Sequence, residues 1–268
     1  MEDAHKRELL CYLVSVLLEE RASSTGVQAS EPMPSDSDGL WTMFRGLVNT
    51  RPPRAASPAF LEAQDELLQA LAQEKGIQGP ADAEPSTDDS RIRLWRGDIT
   101  AFAADAIVNA ANSRLLGCWV PGHFCIDNAI HTYAGVQLRL ECARLMDEQG
   151  HPEPTGSAKM TPAYNLPARS IIHTVGPIAA GRVTESQCVQ LAKCYTSCLE
   201  LAAQSELESI CFCCISTGAF GFPQGQAAEI AVQTVRNWLA TRESGMTVVF
   251  DVFGEKDEAL YQRGLGIG

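Results

Sequence analysis

Short apolar segments alternate with longer amphipathic segments from residue 91 to residue 268, and this alternation constrains the fold more than any other feature. Segments such as 209–215 are apolar at almost every position, which is typical of strands that helices cover on both faces of a sheet. Strands that alternate with helices predict a layered α/β domain. The predicted strands are residues 92–96, 106–110, 157–162, 170–175, 209–215 and 247–252. The predicted helices are residues 126–134, 136–148, 185–204, 224–241 and 255–264.

The first 88 residues follow a different pattern, in which helical segments are separated by polar loops. Ser57 is a suitable N-terminal cap, with Pro58 in the first turn behind it and Gly76 after the last residue of the same helix. The helices predicted in this region are residues 7–21, 40–49 and 58–75.

Two polar segments separate these helices from each other and from the α/β part. Residues 22–38 are rich in Ser, Pro and Gly and are predicted to form a loop. Residues 79–90 contain two prolines and are predicted to be a linker. We therefore divide the chain into an N-terminal helical region with its linker, residues 1–88, and an α/β domain, residues 89–268.

The formal net charge of −12, from 21 Lys and Arg against 33 Asp and Glu, limits the partners that the chain can bind. An acidic surface repels phosphate backbones, so we expect no nucleic-acid partner. A phosphorylated small molecule is then better bound by backbone N–H groups and helix N-termini than by a basic patch.

Ten cysteines lie mostly in apolar segments, as in the run at residues 211–214. Buried free thiols are typical of a reducing compartment, which predicts a cytoplasmic protein without a disulfide framework. The apolar run at residues 9–18 is predicted to be a buried amphipathic helix rather than part of a signal peptide, because acidic residues flank it on both sides. No apolar stretch has the length of a membrane-spanning helix, so no membrane partner is expected.

Polar side chains follow the first two predicted strands. Asp98 is able to accept a hydrogen bond from an exocyclic amine such as that of adenine, although capping a turn is the simpler interpretation of this residue alone. Asn109 and Asn112 stand at the end of the second strand. Their amides offer the donors and acceptors that a ribose requires, and a structural turn is the alternative.

Cys118, His123 and Cys125 surround a Pro-Gly turn and are able to reach one metal ion. Thiolates and imidazole suit tetrahedral zinc, and three ligands leave a fourth position open, as in catalytic sites. The spacing is not that of a standard zinc finger, so two core cysteines beside a surface histidine are an equal alternative. Asp127, at the start of the next helix, stands close to this loop, where the helix dipole alone also favours a carboxylate.

The segment 216–223 joins an apolar strand to a helix and consists mostly of small residues. Small residues let backbone N–H groups approach a pyrophosphate, and the helix that follows contributes its positive end. The segment matches neither a Walker loop nor a dinucleotide fingerprint, and an ordinary strand-to-helix turn is the alternative. His173 and the cysteines at 211–214 are predicted to be core residues.

Three motifs together resemble those of the macrodomain family: Gly-Asp-Ile-Thr at 97–100, Asn-Ala-Ala-Asn at 109–112 and Ser-Thr-Gly-Ala-Phe-Gly-Phe-Pro at 216–223. The resemblance covers about residues 91–254 and implies a three-layer α/β/α fold with a mixed central sheet. Common macrodomains carry a run of glycines before the catalytic Asp, whereas this chain carries the loop of Cys118, His123 and Cys125. That loop, and the sequence at 49–53, resemble the zinc-containing branch of protein-ADP-ribosyl hydrolases.

The resemblance implies an enzyme that removes mono-ADP-ribose from proteins, most simply from Asp or Glu, with one Zn²⁺ per chain. We expect the chain to act as a monomer. Asn112 and Asp127 would be catalytic, Asp98 would bind adenine N6 beside the backbone of Ile99, and Phe220 or Phe222 would flank the distal ribose. The implied zinc ligands are Cys118, His123 and Cys125. The implied ADP-ribose-binding residues are Asp98, Ile99, Asn112, Ile126, Asp127, Ser216, Thr217, Gly218, Ala219, Phe220 and Phe222. A non-catalytic ADP-ribose reader and a hydrolase of free derivatives such as O-acetyl-ADP-ribose are the alternatives.

Overall fold

The computed structural model describes residues 1–26, 32–179, 181–242 and 244–268, which form a three-layer α/β/α domain beside a group of three N-terminal helices. The described residues contain seven strands: β1 Glu84–Pro85, β2 Ile92–Arg96, β3 Ala106–Ala111, β4 Ala158–Pro162, β5 Ser170–Val175, β6 Ser209–Phe212 and β7 Thr247–Val252. They also contain eight α-helices: α1 Asp3–Thr25, α2 Ser37–Thr50, α3 Pro58–Lys75, α4 Ile126–Ala134, α5 Val136–Gln149, α6 Glu185–Gln204, α7 Gln224–Ala240 and α8 Glu255–Leu265.

All seven strands belong to one mixed sheet with the order β1-β2-β7-β6-β3-β5-β4. The five central strands are parallel, and the edge strands β1 and β4 pair antiparallel with their neighbours. The parallel strands are buried along nearly their whole length because helices cover both faces. The mixed α/β/α sheet that the motifs imply is confirmed.

Two hydrophobic clusters support the two parts of the chain. The larger one surrounds the sheet and includes the aromatic side chains of Tyr195, Phe212 and Phe250. The smaller one lies between α1, α2 and α3. Val136, the first residue of α5, belongs to the smaller cluster, so the N-terminal helices pack directly on the sheet domain.

Most predicted elements are found at or near their predicted bounds. The cap of α3 is confirmed, because the Ser57 side chain accepts a hydrogen bond from the N–H of Phe60. The run at residues 9–18 folds within α1, which buries five of its apolar side chains. Each of the ten cysteines, all within the described residues, is a free thiol. Among the described residues, no helix combines the length and the apolar character needed to cross a bilayer.

Three predicted segments differ from the structure. The loop predicted at 22–38 is too long, because α1 continues to Thr25 and α2 already begins at Ser37; residues 27–31 of that loop lie outside the described residues. The linker predicted at 79–90 contains a 3₁₀ turn and β1, which pairs with β2. The strand predicted at 209–215 ends at Phe212, and the carbonyl of Cys214 instead accepts a hydrogen bond from the Thr217 hydroxyl.

Candidate active site and metal loop

A cleft of about 340 Å³ opens where the parallel strands end at their carboxyl termini. This edge of an open α/β sheet is where ligands bind in such folds, because the loops after several strands meet there. The cleft combines predicted site residues with residues that sequence reasoning did not single out. Its lining includes Arg45, Asp98, Ile99, His123, Cys125, Ile126, Tyr133, Thr217, Asp251 and Phe253.

Asp98 follows β2 and stands at one end of this cleft. Its Oδ1 accepts hydrogen bonds from the N–H and the hydroxyl of Thr100, at 3.0 and 2.6 Å. Its Oδ2 accepts from the Lys75 ammonium at 2.7 Å. Burial alone would raise the pKa of Asp98, but the hydrogen bonds from Lys75 and Thr100 together outweigh burial and lower it. The carboxylate is therefore ionised at neutral pH and able to accept from an amine.

Lys75 is the last residue of α3 and was not predicted to belong to the site. Besides Asp98, its ammonium lies 3.3 Å from the centre of the Tyr133 ring, which also lines the cleft. The lysine thus joins the N-terminal helices to the end of the cleft that carries Asp98. Only its position in the last turn of a predicted helix was visible in the sequence, and that position has an ordinary explanation in the helix dipole.

Asp127 lies in the first turn of α4, and side-chain amides hold both of its carboxylate oxygens. Asn109 donates to Oδ1 at 2.9 Å, and Asn112 donates to Oδ2 at 3.2 Å. Burial raises the pKa of Asp127 to about 6, while these hydrogen bonds act in the opposite direction. The carboxylate therefore has a fixed orientation and is mainly ionised at neutral pH.

Asn112 uses most of its own hydrogen-bonding capacity within the protein. Its second amide hydrogen is donated to the carbonyl of Gly117 at 3.0 Å, and its oxygen accepts from the N–H of Arg114 at 3.0 Å. An amide oxygen has two lone pairs, so one lone pair remains for a ligand. The structure thus places Asn112 beside Asp127 and leaves one lone pair of the Asn112 oxygen free to accept a hydrogen bond.

His173 is a core residue, as predicted, and is hydrogen-bonded on both ring nitrogens. Its Nδ1 accepts from the same Asn109 amide that holds Asp127, at 3.1 Å, and its Nε2 lies 3.0 Å from the Thr161 hydroxyl. Because Nδ1 is the acceptor, Nε2 carries the proton and donates to Thr161. Burial lowers the pKa of His173 to about 4, so the ring is neutral.

Cys118, His123 and Cys125 meet on one side of the cleft, on a loop turned at Pro121 and Gly122. Gly122 has a φ of +64°, in the left-handed region that glycine adopts without strain. The ligand atoms of the three side chains lie within 4.8 Å of one another, and Cys118 Sγ is 3.5 Å from His123 Nδ1. Zinc–sulfur and zinc–nitrogen bonds of about 2.3 and 2.0 Å imply a separation of roughly 3.5 Å across a tetrahedral site. The donor set therefore fits zinc and leaves one coordination position for another ligand.

A second group of potential ligands, His131, Cys142 and His173, is fully buried behind Asp127. It fits a cation poorly, because both nitrogens of His173 already have partners. The Arg139 guanidinium also stands close enough to lower the pKa of His131, after burial and His173, and its charge would repel a metal ion. The loop of Cys118, His123 and Cys125 is the better metal site.

The loop at 216–223 presents a row of backbone amides. Among the described residues, no acceptor takes the N–H groups of residues 217–220. Ser216 has a φ of +67°, and hydrogen bonds from Phe222 N to Ser216 O and from Gly221 N to Gly218 O close the loop on itself. Successive free N–H groups in such a turn form a concave site for an anion.

The two aromatic residues of this loop occupy different environments. Phe222 is only 2% exposed and belongs to the core around the sheet, whereas Phe220 is half-buried. Of the two residues predicted to flank a ribose, Phe220 is therefore the accessible one. Phe253 follows β7, is 64% exposed and lines the cleft, where its ring contacts Phe124 edge-on. Its position directly after a predicted strand, like that of Asp98, is the signal that could have found it.

This chain is similar to known proteins in both sequence and structure. A family model for the Macro domain matches residues 108–231. A protein-ADP-ribose hydrolase of Treponema medium is 53% identical over 260 residues, which cover 96% of this chain and 98% of that protein. A protein-ADP-ribose hydrolase of Staphylococcus aureus strain MRSA252 is 52% identical over 232 residues, or 86% of each chain. The structure of a Trypanosoma brucei macrodomain in complex with ADP-ribose aligns with a TM-score of 0.63 at 32% identity, covering 82% of this chain and 94% of that one.

Proposed function

This chain belongs to the macrodomain family, and we propose that it is a zinc-dependent hydrolase that releases mono-ADP-ribose from modified proteins. One observation carries the proposal: a single cleft is lined by the ionised carboxylate Asp98, by Thr217, and by His123 and Cys125 of the metal loop, residues 118–125. Asp127 follows this loop in the first turn of α4. The Treponema and Staphylococcus relatives are named for the same activity.

In the proposed complex, ADP-ribose runs from Asp98 at one end of the site to Asp127 at the other. Asp98 accepts a hydrogen bond from adenine N6, and the exposed ring of Phe253 stacks on the base. The N–H groups of residues 217–220 bind the diphosphate, in keeping with the formal net charge of −12. Phe220 packs on the distal ribose, whose reacting carbon then lies beside Asn112 and Asp127.

Catalysis is assigned to the group around Asp127. Asn109 and Asn112 hold the carboxylate, which takes up a proton from the attacking water or stabilises positive charge that develops on the ribose. Asn112 uses its remaining lone pair to orient a ribose hydroxyl. Cys118, His123 and Cys125 would hold zinc, which when bound supplies a Lewis acid for a ribose hydroxyl or for water.

The substrate is proposed to be a protein modified on Asp or Glu, in a reducing, cytoplasmic setting, with the chain acting as a monomer. A reader of ADP-ribose would need the same cleft but not the open metal loop or the held carboxylate. A hydrolase of O-acetyl-ADP-ribose would need both, and only turnover separates it from the proposed enzyme.

Release of ADP-ribose from an Asp/Glu-mono-ADP-ribosylated protein tests the proposal. Asp127→Asn keeps the shape of the side chain and removes its charge, and we expect release to fall about 10²- to 10⁴-fold with little change in ADP-ribose affinity. Cys125→Ser should also lose activity while remaining folded. O-acetyl-ADP-ribose and proteins modified on other residues serve as parallel substrates.

Tight ADP-ribose binding without release from any modified protein would identify a reader instead. Faster turnover of O-acetyl-ADP-ribose than of modified protein would identify the free-metabolite enzyme. Wild-type release from Asp and Glu that Asp127→Asn leaves unchanged would remove Asp127 from the mechanism.

A further inference from the structure

The metal loop, residues 118–125, does little to fix its own shape. Within it, backbone hydrogen bonds join His123 N to Val120 O and Cys125 N to His123 O, each at 3.1 Å. The loop contains no helix or strand. Three ligands on such a loop hold one metal ion in a set geometry only if other parts of the protein hold the backbone.

The N-terminal helix α2 supplies the most direct support. The side-chain oxygen of Asn49 accepts a hydrogen bond from the N–H of Gly122 at 2.9 Å, and its amide donates to the Thr132 hydroxyl at 3.0 Å. Asn49 is 1% exposed, so both ends of its amide are matched inside the protein. Gly122 lies at the turn between the ligands Cys118 and His123, where a shift of the backbone changes their separation.

A second connection runs from α2 to the loop through α4. Arg45 donates to the Asn128 oxygen at 2.9 Å, and the amide of Asn128 donates to the carbonyl of Val120 at 3.1 Å. Gly46 lies against Pro121, because a Cβ added at Gly46 would be in ordinary contact with Pro121 Cβ at 3.7 Å. Arg45, through Asn128, and Gly46 and Asn49 directly therefore connect α2 to three consecutive loop residues, 120, 121 and 122.

Arg139 of α5 connects the end of α2 to the residues at the start of the metal loop. Its guanidinium donates to the carbonyls of Val48 and Arg51 at 2.9 and 2.7 Å, and to the carbonyl of Leu116 at 2.8 Å. It also lies 4.6 Å from the centre of the Trp119 ring. The buried guanidinium of Arg139 therefore contacts both the last turn of α2 and the metal loop.

We infer that Asn49 is a positioning residue for the metal loop, and that the N-terminal helical region is thereby part of the active site. The inference rests on the proposed zinc function. A residue needed only for packing at this position would be better served by leucine, since burying an amide is costly unless each polar atom finds a partner. Here one partner of the amide is a backbone group of the metal loop itself.

Three variants separate positioning from packing. Asn49→Leu is close in volume and accepts no hydrogen bond. Asn49→Asp keeps an acceptor for Gly122. Thr132→Val removes the other partner of Asn49 but leaves its bond to Gly122. Should Asn49→Leu fail to fold, Asn49→Ser, whose hydroxyl is too short to reach Gly122, replaces it.

Two measurements are made on the full chain. Zinc affinity is measured by competition with a chelator, and amide hydrogen exchange of residues 119–124 is measured on zinc-free protein. For Asn49→Leu we expect zinc affinity to fall about 10- to 100-fold, the usual effect of removing a group that orients metal ligands, and loop amides to exchange faster. Asn49→Asp should bind zinc at least as tightly as wild type, and Thr132→Val should stay within about threefold of it.

Zinc affinity and loop exchange of Asn49→Leu that match wild type would overturn the inference. An equal loss of zinc affinity in Thr132→Val would also overturn it, because a general loss of packing would then explain both variants. Failure of wild type to bind zinc would instead refute the proposed metal function, and the exchange measurement on zinc-free protein would still decide whether Asn49 holds the loop.

Discussion

Three carboxylates near the cleft differ in pKa because their surroundings differ. Hydrogen bonds from Lys75 and Thr100 keep Asp98 ionised, and hydrogen bonds from two side-chain amides fix the carboxylate of Asp127. Asp251, on β7, is 6% exposed, and its Oδ1 has no hydrogen-bond partner among the described residues. Burial, and then the negative charge of Asp98, raise the pKa of Asp251 well above the usual range, whereas hydrogen bonds lower the pKa of Asp98.

This difference predicts a pH-dependent effect of Asp251→Asn. The pKa of an aspartic acid in an unfolded protein is about 3.9. When the folded protein has a higher pKa at that group, the protonated carboxyl stabilises the folded state fully below a pH of about 3.9, and this stability is lost as the pH rises towards the folded pKa. Asparagine does not titrate, so the gain in Tm over wild type should be small near pH 4.5 and grow towards pH 8. We expect a rise of about 2 °C or more at neutral pH, measured by thermal unfolding. Asp147→Asn, at an exposed position, is the control, and a Tm difference for Asp251→Asn that does not change with pH would contradict the prediction.

The site residues that could be found from the sequence are those that lie in contiguous motifs. Asp98 and Cys125 stand beside residues whose types already suggest a ligand. Lys75 and Asp251 were not found, because each interacts with Asp98, which is more than 20 positions away, and no local pattern records such an interaction. Asn49 lies in the segment 49–53 that the resemblance includes, but its hydrogen bond to Gly122, 73 positions away, was not predicted.

Elements with a clear end signal were predicted most accurately. The bounds of α3, α4 and α6 match the prediction, and α3 and α6 are capped by Ser57 and Thr184. The strand expected up to residue 215 ends at Phe212 because the chain leaves the sheet to form the cleft, although its residues remain apolar. β1 was missed because two residues, one of them proline, carry no recognisable strand pattern.

Helix α2 allows a prediction about its glycine. Gly46 lies inside the helix, where glycine costs about 1 kcal/mol relative to alanine. An added Cβ would meet Pro121 at 3.7 Å, an ordinary contact, so Gly46→Ala should raise Tm by about 2 °C while zinc affinity and turnover remain unchanged. Gly46→Leu should push Pro121 outward and weaken zinc binding. Lower stability or weaker zinc binding in Gly46→Ala would show that the helix and the loop are closer together than the structure indicates.

At the scale of the whole molecule, the site lies where two hydrophobic clusters meet. The sheet domain supplies Asp98, Asn112, Asp127 and the loop at 216–223. Helix α3 holds Asp98 through Lys75, and helix α2 holds the metal loop through Asn49. Val136 and the partly buried Tyr133 pack in the smaller cluster although both belong to the sheet domain. Strand β1, at residues 84–85, also pairs with β2 in the sheet, so the chemistry proposed for the cleft depends on residues on both sides of the predicted division between 88 and 89.

The position of the metal loop outside both clusters predicts what removal of the proposed zinc ion would do. All three ligands come from eight consecutive residues at the edge of the cleft, where His123 is exposed and the two cysteines are half-buried, so the loop crosslinks no distant parts of the chain.

If zinc stabilised the whole domain, its removal by a chelator would unfold the domain. Here we expect a chelator to lower Tm by less than about 5 °C with unfolding still in one transition, and to reduce ADP-ribose release at least about 100-fold until Zn²⁺ is restored. Cys125→Ser, insensitive to the chelator, is the matched control. Unfolding on chelation would make the metal structural, and full activity without it would leave catalysis to Asp127 and the asparagines alone.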